Sequence, residues 1–454
     1  MPGAVATQFG RLVRSATHLP PLHLLAGIGA LLVVLTLVTP FAFEAYGDNA
    51  FIALTIAAGL LTIVATLLVE RAPSDRALWL IFGLGIVLRA YVLLFDPLLS
   101  SDIYRYVWDG RVQAAGINPY RYFPVDEALA FLRDGTIFPL INRADTAVTI
   151  YPPVAQFFFL IVTRIGESVT VMRLALLSCE AVTVTLITLL LRRMNRPVTC
   201  VIAYLWHPLP LWEIASSGHV DALMVALMLV GLWIALTGHA LRGAVVIALS
   251  VLVKPLGAPV LAGIWRPWDL KMPLVVIAVV ALCYLPYLSA GWGVLGFLTK
   301  GYLTEEGISA GNDLWLLSLW RLVFGEHQGD VVAYVVLAAL VLMFKGLSVA
   351  RSPDRTIATR LADINMLLLI ALLLLSPNYP WYFLVVTPFA ALCGSAPTWV
   401  VSIGALLLSE QLDWDFYIPR MVTKSFLFGS LVLALAVTAW RTRMQRSADE
   451  RSSQ

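Results

Sequence analysis

A polytopic bundle of membrane-spanning α-helices is the fold class that this sequence predicts, and three observations predict it. The chain of 454 residues is 60% hydrophobic and only 13% charged, whereas an average soluble domain has about 25% charged residues. Apolar runs of about 17–25 residues, the length that crosses a bilayer core as a helix, recur along the chain. The strands of a membrane barrel would be shorter and alternating. We therefore expect an all-α protein with about 12–14 membrane spans.

The spans follow from the apolar runs in chain order. The run that begins at Leu22 is too long for a signal-peptide core and is expected to be a retained helix. Segments 152–165 and 314–324 are short with polar flanks, so we expect them to lie along the membrane surface. Two short helices meet at Lys254-Pro255, where proline favours a broken or re-entrant pair. The predicted spans are 22–43, 51–69, 77–95, 169–191, 198–214, 219–237, 242–253, 256–265, 273–290, 330–349, 361–376, 381–395, 397–410 and 425–440.

The orientation follows from the lysines and arginines of the loops, because positively charged loops stay in the cytoplasm. With segment 152–165 on the surface, every basic cluster falls on one side, and both termini are predicted to be cytoplasmic. The opposite face receives the segments rich in acidic and aromatic residues. These segments are 96–153, 206–219, 291–330, 376–381 and 410–424.

Other compositional signals narrow the class of function. The net charge of +3 is spread over the loops and gives no indication of a nucleic-acid partner. The four cysteines have neither CxxC nor metal-ligand spacing and are interpreted as packing residues. One face of the protein is therefore predicted to support a site on the other face.

The loop 96–153 is the most polar stretch between the spans. Asp102, Arg105 and Asp109 are spaced i, i+3 and i+7, which places them on one face of a helix. This spacing indicates an amphipathic helix at the membrane interface with its carboxylates turned toward a cavity. A solvated helix face with aromatic interface anchors explains the same spacing, so both interpretations stay open.

Four segments carry a resemblance to a known family. They are SSDIYRYVWDGRVQAAGINPYRY (100–122), SGHVDAL (217–223), LVKPLGAPVL (252–261) and SPNYPWYFLVVTP (376–388). In this order, and with the loop ending at Pro152-Pro153, they resemble the GT-C superfamily of membrane glycosyltransferases that use polyprenyl-phosphate sugars. The nearest subgroup is the bacterial polyprenol-phosphate-mannose-dependent mannosyltransferases. The resemblance covers about 77–410, so 1–76 is expected to be an added helix pair and 411–454 the last helix with a cytoplasmic tail.

The resemblance implies a reaction and a place for it. Asp102 would be the general base that activates an acceptor hydroxyl, and a hexose, expected to be mannose, would be transferred with inversion. The donor would be a polyprenyl-phosphate sugar and the acceptor a lipid or glycan, on the periplasmic or extracellular face of a bacterial inner or plasma membrane. No cofactor and no metal ligand are expected, although some GT-C members use a divalent ion held by loop carboxylates.

Because the leaving group is a phosphate anion, cationic or hydrogen-bonding side chains should stabilise it. The candidates are Arg105, Arg111, Lys254, Arg420 and His219. Asp109 is predicted to orient Arg105. Arg89 and Glu180 lie within spans, where a charge contacts a substrate, pairs structurally or snorkels.

The remaining candidates have simpler structural alternatives. Asp221 either serves the site or interacts favourably with the dipole at its helix start. Aromatic and amide side chains at the outer mouth either contact sugar or lipid phosphate or form an aromatic belt. These residues are Tyr120, Asn378, Tyr379 and Tyr382. Two loops, with Glu305 and Glu306 and with Asp413, Trp414 and Asp415, are either lids or solvated loops.

Two other classes of function compete with transfer. A transporter or flippase for polyprenyl-linked glycans would show broken helices at matching positions in two halves. The sequence predicts a single broken pair, which argues against transport. A non-catalytic membrane scaffold would have no polar cavity beside Asp102, so the surroundings of that residue separate the scaffold from the enzyme.

Overall fold

The computed structural model describes residues 21–71, 74–291, 294, 309–352, 356–409 and 420–452. Within these ranges the chain forms helices and no β-strand, which confirms the all-α prediction. The α-helices of seven or more residues in these ranges are α1 (Pro21–Tyr46), α2 (Asp48–Arg71), α3 (Asp75–Val92), α4 (Asp102–Ala114), α5 (Pro153–Ile165), α6 (Val169–Arg193), α7 (Asp221–Leu236), α8 (Ala240–Val251), α9 (Lys271–Tyr284), α10 (Trp315–Phe324), α11 (Asp330–Arg351), α12 (Ile357–Leu375), α13 (Thr387–Cys393), α14 (Ala396–Gly404) and α15 (Arg420–Ser452). A 3-10 helix of seven residues, Pro380–Val386, precedes α13.

Seven helices in the described ranges are long and apolar enough to cross a membrane. They are α1, α2, α6, α9 with its continuation to Ala290, α11, α12 and α15. Residues Pro208–Ser216 and α7 are together long and apolar enough to cross, but the chain bends by 117° between them. If this bent pair forms one span, the described ranges contain up to eight spans. The chain is therefore a multi-pass membrane protein. The total of about 12–14 spans expected from the sequence is reached only if the shorter apolar helices also cross the membrane.

The segment 198–214 departs from the single span predicted for it. A one-turn helix, Ile202–Leu205, ends within this segment. His207 then has an extended backbone, and a second short helix begins at Pro208. The physical reason is the pair Pro208 and Pro210, because proline lacks the N–H that a continuous helix needs and restricts the residue before it. The chain then reverses at Gly218, whose φ is +72°.

The predicted break at Lys254 is confirmed. The backbone of Lys254 is extended, with φ −150° and ψ 139°, between the end of α8 and a short turn at Pro255–Gly257. Extended backbone between two apolar helices normally lines a cavity inside the protein. The break therefore presents the lysine side chain away from its own helices.

A buried ion pair joins α3 to α6. The Arg89 guanidinium donates through Nε and Nη2 to the Glu180 carboxylate, at 2.7 and 2.6 Å, and through Nη1 to the Leu205 carbonyl at 2.8 Å. Both side chains are buried. These contacts account for the donors of Arg89, so its role here is to hold the bundle together, as the structural alternative for this pair predicted.

Helix α4 is buried on most of its surface, and only one of its two carboxylates, that of Asp102, lines a cavity, which corrects the prediction that both carboxylates turn toward one. Ile103, Tyr106 and Val107 are all fully buried. The ring of Tyr106 stacks on Phe159 of α5, with centroids 4.6 Å apart. Residues distant in the sequence cover α4, and only its first turn reaches a cavity.

The close approach of α4 and α5 depends on Gly110. A Cβ atom at this position would lie 2.5 Å from the Phe159 carbonyl oxygen and from the Thr163 hydroxyl. We expect Gly110→Ala to destabilise the protein by about 1–3 kcal/mol through overpacking, measured as a lower thermal midpoint in detergent. Gly83→Ala is the control, because a Cβ there meets nothing within 4 Å. An equal thermal midpoint for both variants would contradict the packing argument.

Candidate active site

A cavity of about 660 Å³ lies between the start of α4, the loop 140–152, the break before Pro255 and the segment 375–382. It brings together five residues that the sequence singled out, although they come from three distant segments. These residues are Asp102, Lys254, Asn378, Tyr379 and Tyr382. A cavity with charged and polar walls beside Asp102 is what the enzyme hypothesis requires and what the scaffold alternative excludes.

The Asp102 carboxylate is held by two donors from the same loop. Asn142 Nδ2 donates to Oδ1 at 2.6 Å, and the Tyr151 hydroxyl donates to Oδ2 at 3.2 Å. Burial, and next the Asp102 carboxylate, raise the pKa of the Tyr151 phenol well above its ordinary value. Tyr151 therefore keeps its proton and acts as a donor. The side chain of Asp102 is 17% exposed, so the oriented carboxylate remains accessible from the cavity.

His219 lies one layer behind Asp102. Its Nδ1 atom is 4.0 Å from Asp102 Oδ2, and its Nε2 atom is 3.1 Å from Glu213 Oε2. The imidazole is fully buried and does not line the cavity. The structure therefore places His219 beside the candidate base, and the sequence prediction of a direct contact with a leaving phosphate is not supported.

Among the residues that the structure describes, Lys254 is one of two cationic residues that line the cavity, and the other is Arg143. Its Nζ atom is 2.5 Å from Asp221 Oδ2 and 4.9 Å from the centroid of the Tyr382 ring. The Asp221 carboxylate is fully buried, whereas the lysine side chain is 11% exposed. Asp221 therefore positions Lys254 from behind and does not itself reach a substrate in the cavity.

Aromatic rings form another wall of the cavity. The rings of Tyr379 and Trp381 stack in parallel, with centroids 4.4 Å apart, and the His219 imidazole stacks on Trp381 at 4.1 Å. The Arg420 guanidinium carbon lies 6.0 Å from the Tyr379 centroid, and Arg420 is not among the lining residues. The ring stack thus connects the cavity wall to the imidazole beside Asp102.

Arg105 and Asp109 are paired with each other, as the sequence predicted, but away from the cavity. Arg105 Nε donates to Asp109 Oδ1 at 2.8 Å, and both terminal nitrogens donate to the Ala147 carbonyl. Neither residue lines the cavity. A guanidinium committed to these partners is not placed to receive a phosphate, so the structure does not support the phosphate role predicted for Arg105.

Arg111 and Tyr120 also lie outside the cavity lining. Arg111 donates to Asp134 at 2.7 Å and to Glu167 at 2.8 Å, which fixes the loop after α4. Tyr120 donates to the Tyr151 carbonyl at 2.6 Å. Both residues support the loop that carries Tyr151, and the structure does not bring either one to Asp102.

Several residues of the site were not singled out from the sequence. Asn142, Arg143 and Tyr151 line the cavity but follow no helical or motif spacing. Tyr151 directly precedes the Pro-Pro step, which offered an indirect signal. Glu213 could have been found, because it is an acidic residue in an otherwise apolar run, the pattern that drew attention to Glu180. The predicted lid residues 305–306 and 413–415 lie outside the described residues.

Comparison with known proteins defines the class. Residues 25–268 match the family described as Alpha-(1->6)-mannopyranosyltransferase, N-terminal domain. This is more than half of the chain, so the chain belongs to this family and is a membrane mannosyltransferase of the GT-C type. The matched range includes α1 and α2, and the division of the chain at residues 76 and 410 stays a prediction.

The chain is also similar to one particular enzyme. It is 26% identical over 412 residues to alpha-(1->6)-mannopyranosyltransferase A of Mycobacterium tuberculosis, which covers 80% of this chain and 75% of that relative. No solved structure matches the chain. The expected resemblance to bacterial mannosyltransferases is therefore confirmed at the level of the family.

Proposed function

We propose that this protein transfers mannose from a polyprenyl-phosphate donor to a lipid or glycan acceptor on the non-cytoplasmic face of the membrane. The observation that carries the proposal is the single cavity that Asp102 and Lys254 both line. One side chain can accept a proton and the other can stabilise an anion, which are the two requirements of glycosyl transfer from a phosphate.

The reaction proposed for this cavity has one step. The acceptor hydroxyl gives its proton to the Asp102 carboxylate while its oxygen forms a bond to the anomeric carbon of the donor. The bond from that carbon to the phosphate oxygen breaks, and its electron pair leaves with the polyprenyl phosphate. Lys254 stabilises the negative charge that develops on this oxygen. Phosphate is a stable anion, so the step requires no acid.

The stereochemistry agrees with the names of the family and the relative. In-line attack inverts the anomeric carbon, so a β-linked mannosyl phosphate would give an α-mannoside. The Mycobacterium tuberculosis relative is named as an alpha-(1->6)-mannopyranosyltransferase. We therefore propose an α-(1→6)-linked product. The basic loops support a site on the non-cytoplasmic face, since they favour the cytoplasm.

The donor assignment is tested with the purified protein in detergent. A panel of polyprenyl-phosphate sugars and of nucleotide sugars is supplied with a lipid-linked mannoside acceptor, and released polyprenyl phosphate and extended acceptor are measured. We expect polyprenyl-phosphate mannose to support transfer and nucleotide sugars to be inactive. Transfer from a nucleotide sugar would overturn the donor assignment, and movement of labelled carrier without sugar transfer would favour the transporter.

A further inference from the structure

We propose that Glu213 is a positioning residue for sugar transfer, acting through His219 on the carboxylate of Asp102. This inference rests on the proposed role of Asp102 as the base. Glu213 does not line the cavity, and nothing in the reaction above uses it. Its place in the structure is nevertheless specific, because His219 lies between it and Asp102.

The first argument is the cost of burying Glu213. Its side chain is fully buried, and neither of its carboxylate oxygens has a hydrogen-bond partner among the described residues. A carboxylate without compensation is expensive in such a setting. The imidazole of His219 lies against this carboxylate, with Nε2 3.1 Å from Oε2, and neither ring nitrogen is in hydrogen-bond geometry with another described residue.

The second argument is that His219 is fixed in position from several sides. Its backbone N–H donates to the Glu213 carbonyl at 2.9 Å, and its ring stacks on Trp381. The preceding Gly218 has φ +72°, and a Cβ there would lie 2.4 Å from the Ile103 side chain. The turn therefore packs directly against the first residues of α4. With Nε2 turned to Glu213, the Nδ1 atom faces Asp102.

The consequence is one imidazole between two carboxylates. Its Nδ1 atom lies 4.0 Å from Asp102 Oδ2, and its Nε2 atom faces Glu213. The ring packs behind the carboxylate that Asn142 and Tyr151 hold and limits the movement of that carboxylate away from the cavity. Without Glu213 the imidazole loses the contact on its far side that keeps the ring in place.

The test is a double-mutant cycle of Glu213→Gln and His219→Gln, measured as kcat and KM for mannosyl transfer. We expect Glu213→Gln to lower kcat about 10- to 100-fold, comparable with the removal of residues that orient metal-bound histidines. The KM values should stay near those of the wild type, because Glu213 does not touch substrate. The double variant should be no slower than His219→Gln alone. Independent, multiplicative effects, or an unchanged kcat in Glu213→Gln, would overturn the inference.

Two further variants separate positioning from folding. Glu213→Met replaces a fully buried carboxyl group whose oxygens have no hydrogen-bond partner among the described residues by an apolar side chain of similar volume, which removes the cost of burying an unpaired polar group. We expect an unchanged or raised thermal midpoint together with a low kcat, and a normal kcat in this folded variant would refute the role. Glu70→Gln, which removes an exposed carboxylate paired with Arg196, is the control and should keep the wild-type kcat.

The outcome is distinguishable from a failure of the proposed function. The double-mutant cycle is run with whichever mannosyl donor the wild-type enzyme uses. A wrong donor assignment therefore does not prevent the measurement of kcat and KM for the variants. An active Asp102→Asn variant would overturn the base and with it the role of Glu213. A slow Asp102→Asn variant beside a normal Glu213→Gln variant would overturn the inference about Glu213 alone.

Discussion

Asp102→Asn is expected to lower kcat for mannosyl transfer by about 10²- to 10⁴-fold, the range of general base catalysis. The amide has the size of the carboxylate and can still accept the hydrogen bond from Tyr151, so the loop should keep its conformation. What it loses is the ability to take a proton from the acceptor hydroxyl. Initial rates at saturating donor and acceptor, together with the thermal midpoint in detergent, measure this effect.

Asp145→Asn is the matched control for this variant. Asp145 lies on the same loop but is exposed and does not line the cavity. The same chemical change there should leave kcat and the thermal midpoint at the wild-type values. If Asp102→Asn folds and transfers mannose at the wild-type rate, Asp102 is not the base and the reaction proposed for this cavity is wrong.

Lys254→Met is expected to have the largest effect on stability of the variants considered, about 3–5 kcal/mol. The reason is that breaking a buried ion pair leaves an uncompensated charge, here that of the fully buried Asp221. Transfer should also fail, because the variant lacks the cation that is proposed to stabilise the leaving phosphate. Thermal unfolding in detergent and the rate of carrier release measure the two effects separately.

The double variant Lys254→Met with Asp221→Asn separates structure from chemistry. Removing both charges should restore much of the thermal stability, since no buried charge is left alone. The kcat should nevertheless stay about 10²- to 10³-fold low, the loss found when one stabilising group is removed from a developing anion. A double variant that regains both stability and activity would show that Lys254 is only structural.

The sequence predicted the fold class because apolar runs of membrane length require helices. It also singled out two residues that the structure brings together. Asp102 and Lys254 were singled out from a polar loop and from a proline break, and the structure places both on one cavity. Signals of this kind are local: a charge beside a membrane helix and a backbone that leaves helical geometry are visible in a few consecutive residues.

The errors came from contacts between distant segments. Spacing correctly placed Arg105 near Asp109 on α4, but it gave no indication that Ala147 and Gln156 would cover that face. The same limit explains why Asn142 and Tyr151 were missed as partners of Asp102, because they lie 40 and 49 residues away in the sequence. Periodicity identifies the face of a helix, whereas the loop that packs against it is set by the tertiary fold.

The ion pair between Lys254 and Asp221 bears on how an enzyme of this kind completes a cycle. In the proposed reaction, polyprenyl phosphate must leave after each transfer, although it is an anion attracted to a lysine in a poorly hydrated environment. The fully buried Asp221 carboxylate lies 2.5 Å from the nitrogen of that lysine. The departing carrier therefore leaves behind a neutral pair instead of an isolated cation, and the built-in counter-ion lowers the electrostatic barrier to product release.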